Sequence, residues 1–490
     1  MSQHISKKVI LKSIKWSTLS EILSKVLTPF FYILTARLLT PEDFGLVATS
    51  AMVIAFASII GESGLSKALI QTQDISNIEI RANTVFYTNV FLSSLLYGLL
   101  IILSDPISTF FNDKRISEIL KVSGLSLIIG SLMSVQTALL QKDFEFKKLF
   151  FARFAGTIIP GIVSVIMAYF GYGYWSLVLG NIASMIIQNM ILWKISKWRP
   201  TLTYNIKLAK EMFIFSRWVL LSGILSWFFM WGEIFVLGLF FSSQEVGLYR
   251  TGNYFVSAII GLITTPIVPV MYSYFSKIQH DIESVKKALL FSSKVLSFFV
   301  LPIGVGIFII KAPLVNLLFG EKWQGLDFVV GWLALTHSLS WIVGLNNEAY
   351  KALGRPDIET KILSLSIFIY LVGYFLSAQI SFKAFVITRF VLAVLALSFH
   401  IYASRRVLNL GYSETFFNIR SIFIISLLVF FVNIFLINFI SFSMSSFLIL
   451  FISILIYLMG VYFVDKTFFR NMWNIIAMRE TDVENGFKQN

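Results

Sequence analysis

The sequence contains no cysteine among its 490 residues. A disulfide framework and a thiolate metal or redox site are therefore excluded. Charged residues are also scarce: they make up 13% of the chain, against roughly a quarter in soluble domains. The chain is 57% hydrophobic and its mean hydropathy is +0.80. No soluble core could bury this much apolar surface, so most of the chain must lie in lipid.

Signatures of catalysis are missing as well. The sequence has no P-loop, so it carries no ATPase site. The four histidines are scattered without metal-ligand spacing, and no Ser/His/Asp arrangement can be argued. We therefore predict that the protein is not an enzyme and needs no cofactor or metal, although coupling to H⁺ or Na⁺ stays open.

Apolar runs long enough to cross a bilayer, about 20 residues each, recur from end to end. The first run continues to Leu38 and is interrupted by Glu21 and Lys25, which is not the pattern of a cleaved signal peptide. We read it as a retained first span. Thirteen more spans are predicted near 44–64, 82–103, 117–140, 149–170, 173–193, 213–241, 246–275, 287–310, 325–350, 360–378, 383–404, 418–440 and 442–464.

The basic residues are distributed unevenly between the two sides of this arrangement. If the N-terminus is cytoplasmic, 28 of the 40 Lys and Arg residues fall on cytoplasmic ends and loops, and only six fall on the opposite side. This bias predicts fourteen spans with both termini in the cytoplasm. It also accounts for the net charge of +14 without a nucleic-acid partner.

An internal repeat divides the chain. The segment 37–50 (RLLTPEDFGLVATS) is echoed at 239–252 (LFFSSQEVGLYRTG), and a shift of 202 residues lays Gly45 on Gly247. In both copies an apolar run ends, a short acidic turn follows and a second run begins. We predict an N-terminal six-helix lobe at 1–204, a second at 205–410, two additional helices at 411–466 and a cytoplasmic tail at 467–490. Six spans per half give the two lobes the same orientation, as in parallel-repeat transporters.

The motif A-R-L-L-T-P-E-D-F-G at 36–45 resembles the first turn of Wzx-type flippases of the polysaccharide transporter family, within the multidrug/oligosaccharidyl-lipid/polysaccharide exporter superfamily. Within the family, the chain is most similar to the colanic-acid and teichuronic-acid exporters. The similarity covers about residues 10–410 and continues through ALLQKDF at 138–144, GYGYW at 171–175, WRP at 198–200, EVGLY at 245–249 and LGRPD at 353–357.

This resemblance implies an all-α integral membrane protein with two six-helix lobes around a central cavity. It implies alternating access, and transfer of an undecaprenyl-pyrophosphate-linked oligosaccharide from the inner to the outer leaflet of the bacterial cytoplasmic membrane. Expected partners are this substrate and membrane lipids, with a polysaccharide polymerase and a chain-length regulator as further candidates. A monomer is the default expectation.

Four cations inside the predicted spans are candidates for binding the anionic head of such a substrate, because charge in hydrocarbon is costly and should face the interior. Arg250 is the strongest, since its repeat mate is Ala48 and the cation is therefore unmatched across the repeat. Its alternative is extension to the outer membrane interface, because it lies only a few residues past the turn. Lys25 has an alternative, an ion pair with Glu21 four residues earlier. Arg217 and Lys294 have a different alternative, in which their long side chains extend to the lipid headgroups on the cytoplasmic side.

Acidic and amide residues inside the spans are the second group of candidates. Glu233 lies in the middle of a span, where a proton or Na⁺ site and a structural pair are both open. Glu348 follows Asn346 and Asn347, a polar cluster that favours a hydrogen-bonded gate. Together with Glu21, these residues are the candidates for ion coupling or gating.

Two rival functions remain at this point. A cation-coupled drug antiporter of the same superfamily predicts an acid-lined cavity and twelve spans. A membrane glycosyltransferase or polymerase needs a large outward loop, and the longest predicted ones, 104–116 and 311–324, are too short for a catalytic domain.

Overall fold

The computed structural model of the chain describes residues 7–62, 64–72, 77–437 and 445–476. Its elements are helices, and it contains no β-strand within these ranges. The chain divides into two compact units, Met1–Arg250 and Thr251–Asn490. The predicted lobe boundaries at 204 and 410 stay a prediction, and most of the predicted tail, 477–490, lies outside the described residues.

The first unit contains nine complete helices and the beginning of a tenth within the described ranges. The hairpins α7–α8 and α4–α6 form its body, α1 packs against α7, and α9 packs against α2. The helices are α1 Lys7–Leu38, α2 Pro41–Glu62, α3 Leu65–Gln71, α4 Ile78–Phe110, α5 Arg115–Ser123, α6 Leu125–Lys142, α7 Phe146–Tyr169, α8 Trp175–Ile195, α9 Ile206–Phe240 and α10 Ser243–Ile278.

The second unit begins inside α10 and is built around α11, which packs against α12 and α16. Its helices are α11 Ile282–Leu318, α12 Leu326–Ser340, α13 Asn346–Ala352, α14 Pro356–Ala378, α15 Phe382–Leu408, α16 Tyr412–Ile437, α17 Ser445–Val464 and α18 Lys466–Ile476. A short 3₁₀ turn, Glu321–Trp323, precedes α12.

Eleven helices of the described chain are long and apolar enough to cross a membrane, and the bent pair α17–α18 would be a twelfth. The prediction of an all-helical, multi-pass membrane protein is confirmed. Two predicted spans, the first and the tenth, do not meet this criterion: they correspond to α1 and to α12, which has only 15 residues. The count of fourteen therefore stays a prediction.

The repeated motif forms the same local structure in both copies. At the start of α2, Thr40 Oγ1 donates to Asp43 Oδ2 (2.7 Å), and Asp43 N donates back to Thr40 Oγ1 (3.4 Å). At the start of α10, Ser242 Oγ donates to Glu245 Oε2 (2.9 Å), and Glu245 N donates to Ser242 Oγ (3.4 Å). Both are capping boxes, in which side chains satisfy backbone donors that the first helical turn leaves free.

The two capped helix starts also touch each other within the first unit. A Cβ atom added to Gly45 would collide with the Ser243 carbonyl oxygen, and one added to Gly247 would collide with the Pro41 carbonyl oxygen. The contact is therefore backbone on backbone and nearly symmetric between the two repeats. We refer to the region formed by 37–45 and 239–247 as the hairpin end of the unit.

We expect Gly45→Ala to destabilise the protein by about 1–3 kcal/mol, the usual cost of overpacking, because a carbonyl oxygen cannot move aside as a flexible side chain can. Thermal unfolding of the purified protein in detergent measures this as a lower Tm. Gly98→Ala is the matched control, since no atom lies within 4 Å of a Cβ added there. Equal Tm values for the two variants would contradict the close approach.

A polar cluster contacts the hairpin end through Glu42 and Ser243. Arg115 Nη2 donates to Glu42 Oε1 (2.5 Å) and to Asp113 Oδ2 (2.8 Å), and Ser243 Oγ donates to Asp113 Oδ2 (3.0 Å). Partial burial disfavours ionisation of Asp113, but the hydrogen bonds from Arg115 and Ser243 outweigh it, so the pKa of this carboxyl lies below its usual value. Asp113 therefore stays ionised at neutral pH and joins the α4–α5 turn to the start of α10.

The predicted span 325–350 is not continuous. The helix stops at Ser340, and a tight turn follows in which Gly344 N donates to Trp341 O (3.3 Å) and Asn346 N donates to Val343 O (3.1 Å). The helix resumes as α13. The sequence prediction missed this break because the residues that form it, WIVGL at 341–345, are apolar, and hydropathy does not register a change from i→i+4 to i→i+3 hydrogen bonding.

The two additional helices are integrated into the second unit. Ile422 and Val429 of α16 and Tyr457 and Val461 of α17 belong to one buried cluster with α11. Tyr457 also donates a hydrogen bond to the Phe298 carbonyl (2.9 Å). The inner sides of these two helices therefore face the protein core and not lipid.

Candidate functional site

The first unit contains a cavity of about 300 Å³. Residues of α1, α2, α7 and α8 form its walls, and Trp231 of α9 and Arg250 of α10 complete it. Ala48 and its repeat mate Arg250 both line it, so the two copies of the repeat contribute unequal side chains to one space. The structure thus places the strongest candidate from the sequence in a cavity within the spans.

Arg250 is held by an aromatic ring. Its Cζ atom lies 4.8 Å from the ring centroid of Trp231, a cation–π arrangement. Such a contact orients a guanidinium while leaving its N–H donors available, which suits it to an anion with a planar or tetrahedral set of oxygens. Arg250 is the one cationic side chain among the residues that line this cavity in the described part of the chain.

The rest of the lining is neutral and rich in hydroxyl groups. Hydrogen bonds within the protein hold some of these hydroxyls in place: Thr35 donates to the Phe31 carbonyl (2.8 Å), and Ser164 donates to the Ser176 carbonyl (2.9 Å). Asn181 is exposed in the cavity. Sequence reasoning did not single out these residues, because Ser, Thr and Asn are tolerated at many positions inside transmembrane helices. Their spacing on α1 is the available signal, since Thr28 and Thr35 lie seven residues apart on one helix face.

Lys25 lies on α1 one turn before the cavity. Its Nζ atom is 3.2 Å from Glu21 Oε1, and its side chain is about one-third exposed, at 34%. The structure thus contains the ion pair that the i, i+4 spacing offered as an alternative. A role for Lys25 or Glu21 in binding or coupling stays a prediction.

Arg217 and Lys294 lie outside this cavity. Arg217 is exposed near the start of α9 and stands beside Trp218, with 5.6 Å between its Cζ and the ring centroid. Lys294 belongs to the second unit, where its Nζ is 2.6 Å from Asp465 Oδ2. The residue lines a different cavity. The carboxylate partner of Lys294 is 171 residues away in the sequence, so no local pattern could have revealed it.

Glu233 is buried and accepts a hydrogen bond from the hydroxyl of Tyr249 (2.9 Å). The bond joins α9 to α10 at the residue that precedes Arg250, so Glu233 helps to position the backbone that carries the cavity cation. Sequence reasoning identified the buried carboxyl but not its phenol partner. Its assignment as an ion-coupling residue stays a prediction.

The polar cluster around Glu348 forms two separate sets of contacts. Glu348 pairs with Lys351 (2.9 Å), which also lies 3.5 Å from Glu359. Asn346 donates to Ser404 (2.8 Å), and Tyr350 shares a hydrogen bond with Ser404 (2.9 Å). The buried Oδ1 atom of the neighbouring Asn347 has no hydrogen-bond partner among the described residues. Its gating role, like that of Glu348, stays a prediction.

Helices long and apolar enough to span a membrane, together with a cavity lined by one cation and several hydroxyl groups, are features of a multi-pass membrane protein of the transporter type. The chain belongs to the polysaccharide biosynthesis protein family Polysacc_synt_3, whose sequence profile matches residues 34–327. The family resemblance noted in the sequence is thereby confirmed.

Individual relatives resemble the chain in sequence, and one solved structure shares its fold. The chain is 24% identical to the succinoglycan biosynthesis transport protein ExoT of Rhizobium meliloti, over 69% of this chain and 68% of that protein. It is 22% identical to the lipopolysaccharide biosynthesis protein WzxC of Escherichia coli, over 75% of each chain. Its fold matches a structure of the lipid II flippase MurJ in an inward closed conformation with a TM-score of 0.76, at 15% identity, over 92% of this chain and 99% of that one.

Proposed function

We propose that this protein moves undecaprenyl-pyrophosphate-linked oligosaccharides from the inner to the outer leaflet of the bacterial cytoplasmic membrane by alternating access, for the synthesis of a surface polysaccharide. Family membership, and relatives named for polysaccharide biosynthesis and transport, support the substrate class. Arg250 in the polar cavity of the first unit is the observation that carries the proposal. A single cation surrounded by hydroxyl and aromatic groups suits a phosphorylated sugar better than a cationic drug.

In this proposal Arg250 binds the pyrophosphate. Its guanidinium donates two parallel hydrogen bonds to phosphate oxygens, while Trp231 keeps the group oriented. Because the cavity lies at membrane depth, the interaction is stronger than in water. The diphosphate carries more than one negative charge, so a second cation is needed. Lys25 is the nearest candidate along α1. Its ion pair with Glu21 would have to break before its ammonium group could bind the diphosphate.

The hydroxyl and amide groups of the cavity bind the first sugar in this scheme. Thr28, Thr35 and Asn181 offer donors and acceptors, and the rings of Tyr32 and Trp231 offer apolar faces. The cavity is too small to enclose a whole oligosaccharide, so only the sugar next to the phosphate is recognised there. The polyprenyl chain stays in the lipid, and the outer sugars extend towards water.

In this proposal both termini lie in the cytoplasm, the protein acts as a monomer, and it transports without catalysing a covalent step. Glu233 is the proposed site at which H⁺ or Na⁺ is coupled, because ionisation of a carboxyl hydrogen-bonded to Tyr249 would act directly on the helix turn that carries Arg250. A polysaccharide polymerase and a chain-length regulator are proposed as functional partners.

A complementation panel tests this function. The chain is expressed in bacterial strains that lack their own flippase and whose lipid-linked repeat units are known. We expect surface polysaccharide to return in at least one strain, with loss of the lipid-linked repeat units that had accumulated on the cytoplasmic face. If no strain is complemented, and deletion of the gene from its own host leaves lipid-linked repeat units unchanged, the proposal is wrong.

A further inference from the structure

A second cavity, of about 420 Å³, lies in the second unit and has no role in the function proposed above. It is bounded by the first half of α11, the start of α16 and the bend between α17 and α18. We call it the bend cavity. Its charged lining residues are Lys287 and Lys294 of α11 and Asp465 at the bend.

The charges of the bend cavity do not cancel. Asp465 Oδ2 lies 2.6 Å from Lys294 Nζ and accepts a further hydrogen bond from Ser421 (3.1 Å), so Lys294 is already neutralised. Lys287, two turns earlier on α11, is exposed; its charge acts on Asp281, which does not line the cavity, but it forms no ion pair within 4 Å with another residue that the structure describes. The lining therefore has a net charge of +1, provided by Lys287. Thr467 and Asn471 of α18 add a hydroxyl and an amide.

An apolar cavity of about 350 Å³ continues along the same helix. Lys294 lines the bend cavity, and Phe298, one turn later on α11, lines the apolar one. Further along the helix, Pro302 and Gly306 extend its wall, opposite Leu450 of α17. A polar, cationic space is thus followed by an apolar one along a single helix, which is the shape of a molecule with a charged head and a hydrocarbon chain.

Helix α18 places the polar end at a membrane surface. It is bent by 118° from α17. Phe468 and Met472 are buried against the core, whereas Lys466, Thr467 and Arg470 are exposed. A helix with one apolar and one basic face typically lies in the plane of the lipid headgroups. The bend cavity therefore opens at headgroup depth.

We propose that the bend cavity binds the head of an anionic glycerophospholipid, with its phosphodiester at Lys287 and an acyl chain in the apolar cavity along α11. One net positive charge matches the single negative charge of a phosphodiester. A diphosphate carries more negative charge than Lys287 alone can neutralise, because Lys294 is already paired with Asp465. The bound lipid bridges α11 to α18 and stabilises the bend.

Delipidated protein in detergent tests the site. Native mass spectrometry and thermal unfolding are recorded with phosphatidylglycerol, phosphatidylcholine, undecaprenyl diphosphate or inorganic phosphate. We expect phosphatidylglycerol to bind and to raise the Tm more than phosphatidylcholine does. Lys287→Ala should weaken phosphatidylglycerol binding about five-fold, the effect of one lysine at an anionic lipid surface. Lys286→Ala is the matched control, because Lys286 pairs with Glu414 (2.7 Å) and does not line the cavity.

The control is read from the lipid-induced shift, since loss of the Lys286–Glu414 pair can lower the starting Tm by itself. Equal binding of phosphatidylglycerol by the Lys287→Ala and Lys286→Ala proteins would overturn the proposal, as would equal binding of phosphatidylcholine. A Lys287-dependent shift with undecaprenyl diphosphate but not with phosphatidylglycerol would also overturn it, because the site would then bind the transport substrate. The readout is binding, so it is independent of export.

Discussion

Replacement of Arg250 by glutamine is expected to lower export of the lipid-linked oligosaccharide about ten- to a hundred-fold, the loss that one to two strong hydrogen bonds to a charged group bring. Arg250 is the cation of the polar cavity, and glutamine keeps polar atoms there while removing the charge and the guanidinium fork. The measurement is surface polysaccharide per unit of membrane-inserted protein in a complemented strain.

Two further variants make the Arg250 result specific. Arg250→Lys keeps the charge without the bidentate geometry, so it should export at an intermediate level. Arg153→Gln removes an exposed cation at the start of α7 that does not line the cavity, and it should export like the wild type. Wild-type export by Arg250→Gln at equal membrane levels would show that the cavity charge is not used.

A disulfide between the α4–α5 turn and the start of α10, beside the hairpin end, is expected to stop export reversibly. In the Asp113→Cys/Ser243→Cys protein, cysteines replace two side chains whose oxygens lie 3.0 Å apart. The chain has no other cysteine, so oxidation can form this bridge alone. We expect alternating access to move the start of α10 away from the α4–α5 turn at some stage, and a covalent link between them would prevent this movement. Export should fall below about a tenth of its reduced level, since no non-covalent rearrangement breaks the bond, and should return on reduction.

The reduced double variant serves as its own reference, because loss of Asp113 also removes a partner of Arg115. The single cysteine variants should be insensitive to oxidant. Protection of both thiols from maleimide labelling reports that the bridge has formed. Undiminished export by fully bridged protein would mean that the hairpin end does not open during transport.

Local patterns in the sequence predicted the features that depend on short separations. The acidic turns of the repeat, T-P-E-D and S-S-Q-E, were predicted from the sequence. The structure shows that they are capping boxes, because Thr40 and Asp43, and Ser242 and Glu245, are three residues apart and interact within one helical turn. The pairing of Lys25 with Glu21 followed from the same proximity. The position of Arg250 in a cavity followed from the cost of placing charge in lipid.

Features that depend on distant residues could not be predicted. The partner of Lys294 is Asp465, which is brought near only by the folding of α17 back onto α11. The phenol that donates to Glu233 belongs to Tyr249, 16 residues away on the next helix. The cavity walls of α1, α7 and α8 consist of ordinary Thr, Ser and Asn residues, and only the packing of these helices decides which of them face inward.

The capping boxes at the hairpin end have a consequence for how readily it can open. The side chains at each helix start bond backbone N–H groups of the same helix start, Thr40 with Asp43 and Ser242 with Glu245, so these donors stay satisfied when the two helices move apart. The glycines at the contact have no side chains to withdraw from one another. Separation of the two helices breaks the van der Waals contact of the glycines and the bond between Ser243 and Asp113 but leaves both capping boxes intact, which favours a contact that can open and close on every turnover.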